Sequence, residues 1–183
     1  MTILHLDASI NGDNSASREV SRSIVEQLKG SNWGEPIVYR DLAANPLPHL
    51  TLEAFADSSV LDEFFAADAI VIGAPMYNFT LPTQLKAWID RIVIAGKTFQ
   101  YGPNGPEGLA SGKRVIIALA RGGFYNEGSP AVSLEHLESY LRGVFNFIGI
   151  EPEFVAADGL AIGPEQREQS ISQALGETIR LAA

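Results

Sequence analysis

The chain has 183 residues, 46% hydrophobic and 19% charged, with a formal net charge of −9, which is material for one sizeable core and fits a single domain over residues 1–183. The acidic balance and the lack of any basic run argue against nucleic acid as a partner, and the absence of cysteine excludes disulfides, thiol catalysis and cysteine metal sites while fitting a reducing cytoplasm. No secretory leader pattern opens the chain and no apolar run reaches membrane-spanning length, so a soluble, cytoplasmic protein with no membrane partner is expected.

In chain order, "TILHLDA" (2–8) reads as a strand, and the polar "SINGDNSASR" (9–18) as a loop leading into a helix. In that helix Val20, Ile24 and Leu28 recur every fourth residue as one apolar stripe. "PIVYRDL" (36–42) is a second, more polar strand, and "VLDEFFAA" (60–67) a short helix. "DAIVIGAP" (68–75) is a strand apolar on both faces, and the helix after it carries Leu81, Leu85, Trp88, Ile89, Ile92 and Val93 on one side. The glycine- and proline-rich "YGPNGPEGLASGK" (101–113) reads as a long loop within the domain, a kind of loop that is often functional. "RVIIALA" (114–120) is another doubly apolar strand. A helix with Leu134, Leu137, Leu141, Val144, Phe145 and Ile148 in register follows, then a weaker strand "PEFVAADG" (152–159) and a last helix over 164–181.

Strands alternating with helices in this way predict an α/β fold, a parallel sheet with helices on both faces. The two most polar strands, the second and the fifth, belong at the edges, and the continuously apolar third and fourth at the centre. A doubly wound five-stranded sheet in the order 2-1-3-4-5 satisfies this; the other common order needs a sixth strand that the sequence lacks.

Ligands of such sheets bind at the carboxyl ends of the strands near the switch point between strands one and three, where three loops of this chain converge. The first offers Ser9, Asn11, Asn14, Ser15 and Ser17, with Gly12 for flexibility. The serines at the helix start either cap the helix or, with its free N–H groups and dipole, hold a phosphate. The second loop, "PMYNF" (75–79), is bulky, flat and apolar where small polar residues would be ordinary. It either walls a flat heteroaromatic ring or plugs the end of the sheet. The third offers Gly122 and Gly123, which allow a ligand close to the backbone, and Arg121, either an anion partner or an ordinary ion-paired charge. "GLASGKR" (108–114) is not a nucleotide P-loop: its spacing is short, Arg follows Lys113, and a strand follows in place of a helix. His5, on a strand, His49, in a loop, and His136, on a helix, have no metal-ligand spacing, and no metal site is expected. Neither a nucleophile elbow nor a paired acid and base stands out, which suits an enzyme whose cofactor carries the chemistry.

These segments taken together resemble the FMN-dependent NADH azoreductases, relatives of the NAD(P)H–quinone oxidoreductases with a flavodoxin-like fold. The resemblance rests on the S-x(5)-S-x-S order after strand one, "RDLAANPLP", "APMYNF…QLKAWIDRI", "TFQYGPNGPEGL", "RGG" and "FNFIGI", and covers nearly the whole chain. It implies noncovalently bound FMN, NADH or NADPH as cosubstrate, quinones and azo compounds as acceptors, ping-pong kinetics and a homodimer. It also implies that Ser9, Ser15, Ala16 and Ser17 hold the phosphate and that Pro75, Met76, Tyr77, Asn78 and Phe79 line the flavin ring. Ala120, Arg121, Gly122 and Gly123 would flank the ring's pyrimidine end, with Arg121 assisting as a charge, and Tyr101 would approach the substrate site; no residue is assigned as a catalytic acid or base. Two departures bear on substrate range. Ala16 and Ala120 replace a polar Gln and Ser of those relatives, and segment 51–66 is shorter than theirs. A flavodoxin-type electron carrier, which the acidic charge would also suit, and a flavodoxin-like module without flavin are the competing readings; against the first, the phosphate loop of this chain lacks the threonine-rich turn of flavodoxins.

Overall fold

The computed structural model describes residues 1–30 and 36–182. Its elements follow one another as β1 (Ile3–Asp7), α1 (Ala16–Gly30), β2 (Ile37–Asp41), α2 (Leu52–Ala56), α3 (Ser59–Ala66), β3 (Ala69–Pro75), α4 (Thr83–Ile92), β4 (Phe99–Gly102), β5 (Gly105–Gly108), β6 (Arg114–Ala120), α5 (Glu138–Phe147), β7 (Glu153–Ala157) and α6 (Pro164–Thr178). Five strands form one parallel sheet in the order β2-β1-β3-β6-β7, the flavodoxin-like order expected from the polarity of the strands.

Strand periodicity explains why the central strands are apolar at every position. Ile70 and Ile72 of β3 point to one face with Leu4, Leu6, Ile117 and Leu119, against Phe64 of α3, Trp88 of α4 and Phe145 of α5. Val71 points to the other with Ile3, Ile116 and Ala118, against Val20, Ile24 and Leu28 of α1. Each such side chain contributes about 1.5–3 kcal/mol when taken fully from water. The edge strand β2 keeps Val38 and Tyr39 exposed. The core has one polar defect, the Nε1–H of fully buried Trp88, which has no partner among the described residues.

Three expectations need correction. The segment 101–113 is not a continuous loop: β4 and β5 pair antiparallel, Phe99 opposite Gly108 and Gly102 opposite Gly105, around a Pro103–Asn104 turn. Strands this short, with three glycines and a proline, carry no alternating apolar pattern to betray them. The glycine at 108 is there for contact. A Cβ on it would lie 2.1 Å from the backbone nitrogen of Gly149, so the hairpin is seated on the chain just after α5. Secondly, the helix expected from Leu134 begins at Glu138. The Glu135 carboxylate accepts the N–H groups of Leu137, Glu138 and Ser139, capping the helix four residues late and leaving Leu134 in a 3-10 turn. Thirdly, His136 lies in this extended connection and not on a helix. The short α2, capped by the Thr51 hydroxyl on the N–H of Ala54, was not foreseen.

Candidate functional site

The carboxyl ends of β1, β3 and β6 open into a cleft of about 230 Å³. Close approach of α1 to β3 sets its geometry. Gly73, paired with Asp7 of β1, lies so near α1 that a Cβ there would sit 2.2 Å from Asp7 Oδ1 and 3.2 Å from the Ser17 carbonyl. The helix start and the turn after β3 are thereby held together.

On the β1 side Ser9, Ser15 and Ser17 are all buried. Ser15 is a helix cap: its Oγ accepts the N–H of Arg18 at 3.3 Å and shares a 3.1 Å hydrogen bond with the Ser17 hydroxyl. Capping nevertheless leaves the N–H groups of Ala16 and Ser17 without a protein acceptor among the described residues. The capping alternative for these serines therefore holds, and beside the cap lies an open pair of donors at the positive end of a 15-residue helix. The loop itself is pinned from beneath. Arg18 donates twice to the Ser9 carbonyl, at 2.7 and 3.2 Å, and twice to Asp41 at the end of β2, at 2.7 and 2.9 Å. The Arg18 hydrogen bond holds the Asp41 carboxyl below the usual range, although partial burial opposes it. Tyr39 closes this network by donating to Asp7 at 3.1 Å; burial, reinforced by the Asp7 charge, pushes its phenol up to about 12.

The bulky segment after β3 is a two-residue hairpin turn. Tyr77 and Thr80 exchange both backbone hydrogen bonds, and Asn78 and Phe79 between them have φ of 47° and 73°. Turns of this kind favour Asn-Gly; with phenylalanine in the second place the strain is about 1–2 kcal/mol. It is sustained by neighbours: His136 N–H donates to the Phe79 carbonyl at 3.0 Å, Thr80 Oγ1 donates to the His136 carbonyl at 3.1 Å, and the Phe79 ring meets Tyr125 edge-on at 6.3 Å. The turn leaves the N–H of Asn78 without an acceptor among the described residues. Tyr77 has a task that the sequence does not announce. Its hydroxyl accepts the Ile10 N–H at 3.1 Å and lies 3.4 Å from Ser9 Oγ, tying the first loop to the second.

After β6, the carbonyls of Arg121, Gly122 and Gly123 are taken by the N–H groups of Leu160, Ala161 and Gly159 from the loop following β7. The N–H groups of Gly122 and Gly123 remain without acceptors among the described residues. Arg121 does not offer its charge to the cleft. Its side chain is 4% exposed and bound to Asp158 at 2.6 and 2.9 Å and to Glu138 at 3.3 Å, with Glu135 at 3.7 Å. Burial pushes Glu135 upward, but the three backbone N–H groups it accepts outweigh that and hold it below the usual carboxylate range.

Of the residues expected from sequence, Ser9, Ser15, Ala16, Pro75, Met76 and Tyr77 line the cleft, as do Ala120 and Gly122. Ser17, Asn78, Phe79, Arg121 and Gly123 adjoin these in the same three loops. Tyr101 is apart from them: it stands on the β4–β5 hairpin, 76% exposed, against Phe99. Leu160, Ala161 and Arg167 also line the cleft and were not anticipated, since nothing in "GLAIGPEQR" distinguishes a loop and helix start from a site wall. Lys113, of the apparent P-loop, caps the end of α3 by donating to the Phe65 and Ala67 carbonyls.

A doubly wound sheet with open backbone donors around a cleft at its switch point defines an α/β protein of the kind that takes ligands at the carboxyl ends of its strands. Residues 1–181 match the family described as flavodoxin-like fold. The chain is 51% identical over 201 residues to FMN-dependent NADH:quinone oxidoreductase 2 of Bradyrhizobium diazoefficiens, with all of both chains covered. It is 52% identical to FMN-dependent NADH:quinone oxidoreductase of Stenotrophomonas maltophilia, covering 96% of this chain and 93% of that one. Among solved structures, an azoreductase from Bacillus anthracis strain Sterne is similar with a TM-score of 0.90 at 28% identity, covering 100% and 98% of the two chains. An FMN-dependent NADH-azoreductase from Bacillus anthracis strain Ames Ancestor, solved in complex with FMN, gives 0.84 at 26% identity, covering 100% and 99%. The protein belongs to the flavodoxin-like fold family, in company with the FMN-dependent NADH:quinone oxidoreductases.

Proposed function

We propose that this protein is an FMN-dependent NAD(P)H oxidoreductase that passes two electrons from NADH or NADPH to quinones and azo compounds. The observation that carries the reading is the set of unpaired backbone N–H groups in the three loops around one cleft, at Ala16 and Gly122, which line it, and at Ser17, Asn78 and Gly123, which adjoin those that do. These suit FMN on chemical grounds. A helix start holds a phosphate, and scattered donors beside an apolar surface read the polar edge of a flat ring. Ala16 and Ser17 would hold the phosphate; Pro75 to Phe79 and Ala120 to Gly123 would enclose the ring. Bound there, FMN supplies the acceptance and release of electron pairs that no side chain of this chain can perform.

The chain's own part is to orient and to exclude. The strained 77–80 turn fixes the Asn78 N–H before any ligand arrives, and donors fixed in advance stabilise developing negative charge without reorganisation. Ala16 and Ala120 leave space where longer polar side chains would narrow the cleft. Nicotinamide and acceptor need the same flat surface, so they take turns and the kinetics are ping-pong. We place the protein in the cytoplasm as a single-domain homodimer. Among the described residues no helix is long and apolar enough to cross a membrane. The exposed aromatics Phe79, Tyr101 and Phe124 are the surface offered to the second subunit, and Tyr101 would reach a substrate site there. Sedimentation as a monomer with full activity would remove the dimer.

The deciding experiment measures oxidation of NADH by a simple quinone, with purified protein, added FMN and no other protein. Turnover that depends on FMN supports the reading. FMN binding without turnover, relieved only by a second redox protein, would make the chain an electron carrier instead.

A further inference from the structure

We infer that Arg167, from the first turn of α6, is the cation that offsets the phosphate of FMN and makes the cleft prefer FMN over riboflavin. This rests on the functional reading above and adds a residue to it that neither the three strand-end loops nor the motifs contain.

A phosphate monoester carries close to two negative charges at neutral pH, whereas a helix N-terminus supplies the equivalent of about half a positive one. In a chain of net charge −9, the remainder needs a cation nearby. The two arginines closest in sequence to the site residues are already committed. Arg18 is held bidentate by Asp41 and turned to the Ser9 carbonyl. Arg121 is enclosed by Asp158 and Glu138.

Arg167 differs from both. It lines the cleft together with Ser9, Asn14, Ser15 and Ala16, although it comes from the far end of the chain. Its Nη2 donates to the Asn14 carbonyl at 2.8 Å, which brings the guanidinium to the loop that precedes α1. Among the described residues it has no carboxylate at ion-pair distance, and that one hydrogen bond occupies a single donor of its five. Presentation is firm: Pro164 starts the helix, Arg167 N–H bonds the Gly163 carbonyl at 3.0 Å, and Ser170 Oγ donates to the Asp158 carbonyl at 2.6 Å. The need for a cation here is sharpened by its neighbours. Asp13, Glu19 and Glu168 line the adjoining hollow between α1 and α6, which Arg167 and Asn14 also border, and the guanidinium offsets their repulsion of a phosphate.

The test compares dissociation constants of FMN and riboflavin for wild type, Arg167→Gln and Arg167→Lys, read by quenching of flavin fluorescence, with thermal unfolding as a check on folding. Loss of a charge-assisted contact predicts FMN affinity about tenfold or more weaker in Arg167→Gln, with riboflavin affinity changed less than about twofold. Arg167→Lys should recover part of the difference, and raised salt should weaken FMN binding more in wild type than in Arg167→Gln. Wild-type affinity for FMN in a folded Arg167→Gln protein overturns the inference and leaves the functional reading standing. Equal weakening of both flavins overturns it too, by showing a structural role. Failure of the wild type to bind FMN overturns both.

Discussion

Replacing Gly73 by alanine tests whether the approach of α1 to β3 is as tight as the structure shows. The new methyl would lie 2.2 Å from Asp7 Oδ1, with the Ser17 carbonyl and Ser21 Oγ each at 3.2 Å. The carboxylate cannot simply swing aside. It is 3% exposed, its Oδ1 accepts Ser21 Oγ at 2.9 Å, and its Oδ2 accepts the Tyr39 hydroxyl at 3.1 Å. Overpacking of a dense interior costs about 1–3 kcal/mol, and loss of a hydrogen bond to a buried charge about 1.5–3 kcal/mol. The sum is a loss of about 2.5–6 kcal/mol, or roughly 5–24 °C in Tm for a domain of this size. Urea unfolding of Gly73→Ala, Asp7→Ala and the double variant measures it. Asp7→Ala removes the group that the methyl strikes, so the double variant should lose at least about 1 kcal/mol less than the two single losses added. FMN affinity should fall with stability in Gly73→Ala, because a displaced α1 carries Ala16 and Ser17 away from the 77–80 turn. A loss under about 1 kcal/mol, or strict additivity, would refute the reasoning.

Arg121→Leu should destabilise by about 3–5 kcal/mol, since Asp158, Glu138 and Glu135 are left without their buried cation. Urea midpoints at neutral pH measure the loss. Tyr77→Phe removes the hydroxyl that accepts the Ile10 N–H, so stability should drop by about 0.5–1.5 kcal/mol and FMN affinity by a few-fold in a fluorescence titration. Asp41 and Glu135 both have carboxyls held below the unfolded value, so their stabilisation is present above about pH 4–5 and lost as pH falls through the folded value. Asp41→Asn should flatten part of that acid limb in a series of urea midpoints between neutral and acid pH.

Hydrophobic period carried most of the fold into view. Ile70, Val71 and Ile72 are apolar in succession because helices cover both faces, and with the more polar strands at the edges this orders the five strands. The β4–β5 hairpin escaped because glycine and proline fill it, and its partner is the backbone beyond α5, a contact that no local pattern encodes. The late start of α5 depends on one carboxylate choosing three N–H groups over solvent, which periodicity does not register. At the site, the loop residues were legible from their place after strands. Side-chain allegiance was not. Arg121 reads equally as an anion partner or an ion-paired charge until Asp158 is brought beside it across 37 residues, and Arg167 reads as a surface helix residue until α6 packs along α1.

The most direct measurement of the central claim is a crystal structure of the protein loaded with FMN. The account predicts the phosphate on the N–H groups of Ala16 and Ser17, with the ring between Pro75 to Phe79 and Ala120 to Gly123. Flavin found elsewhere, in the hollow between α1 and α6 for instance, or absent after saturation with FMN, would contradict it.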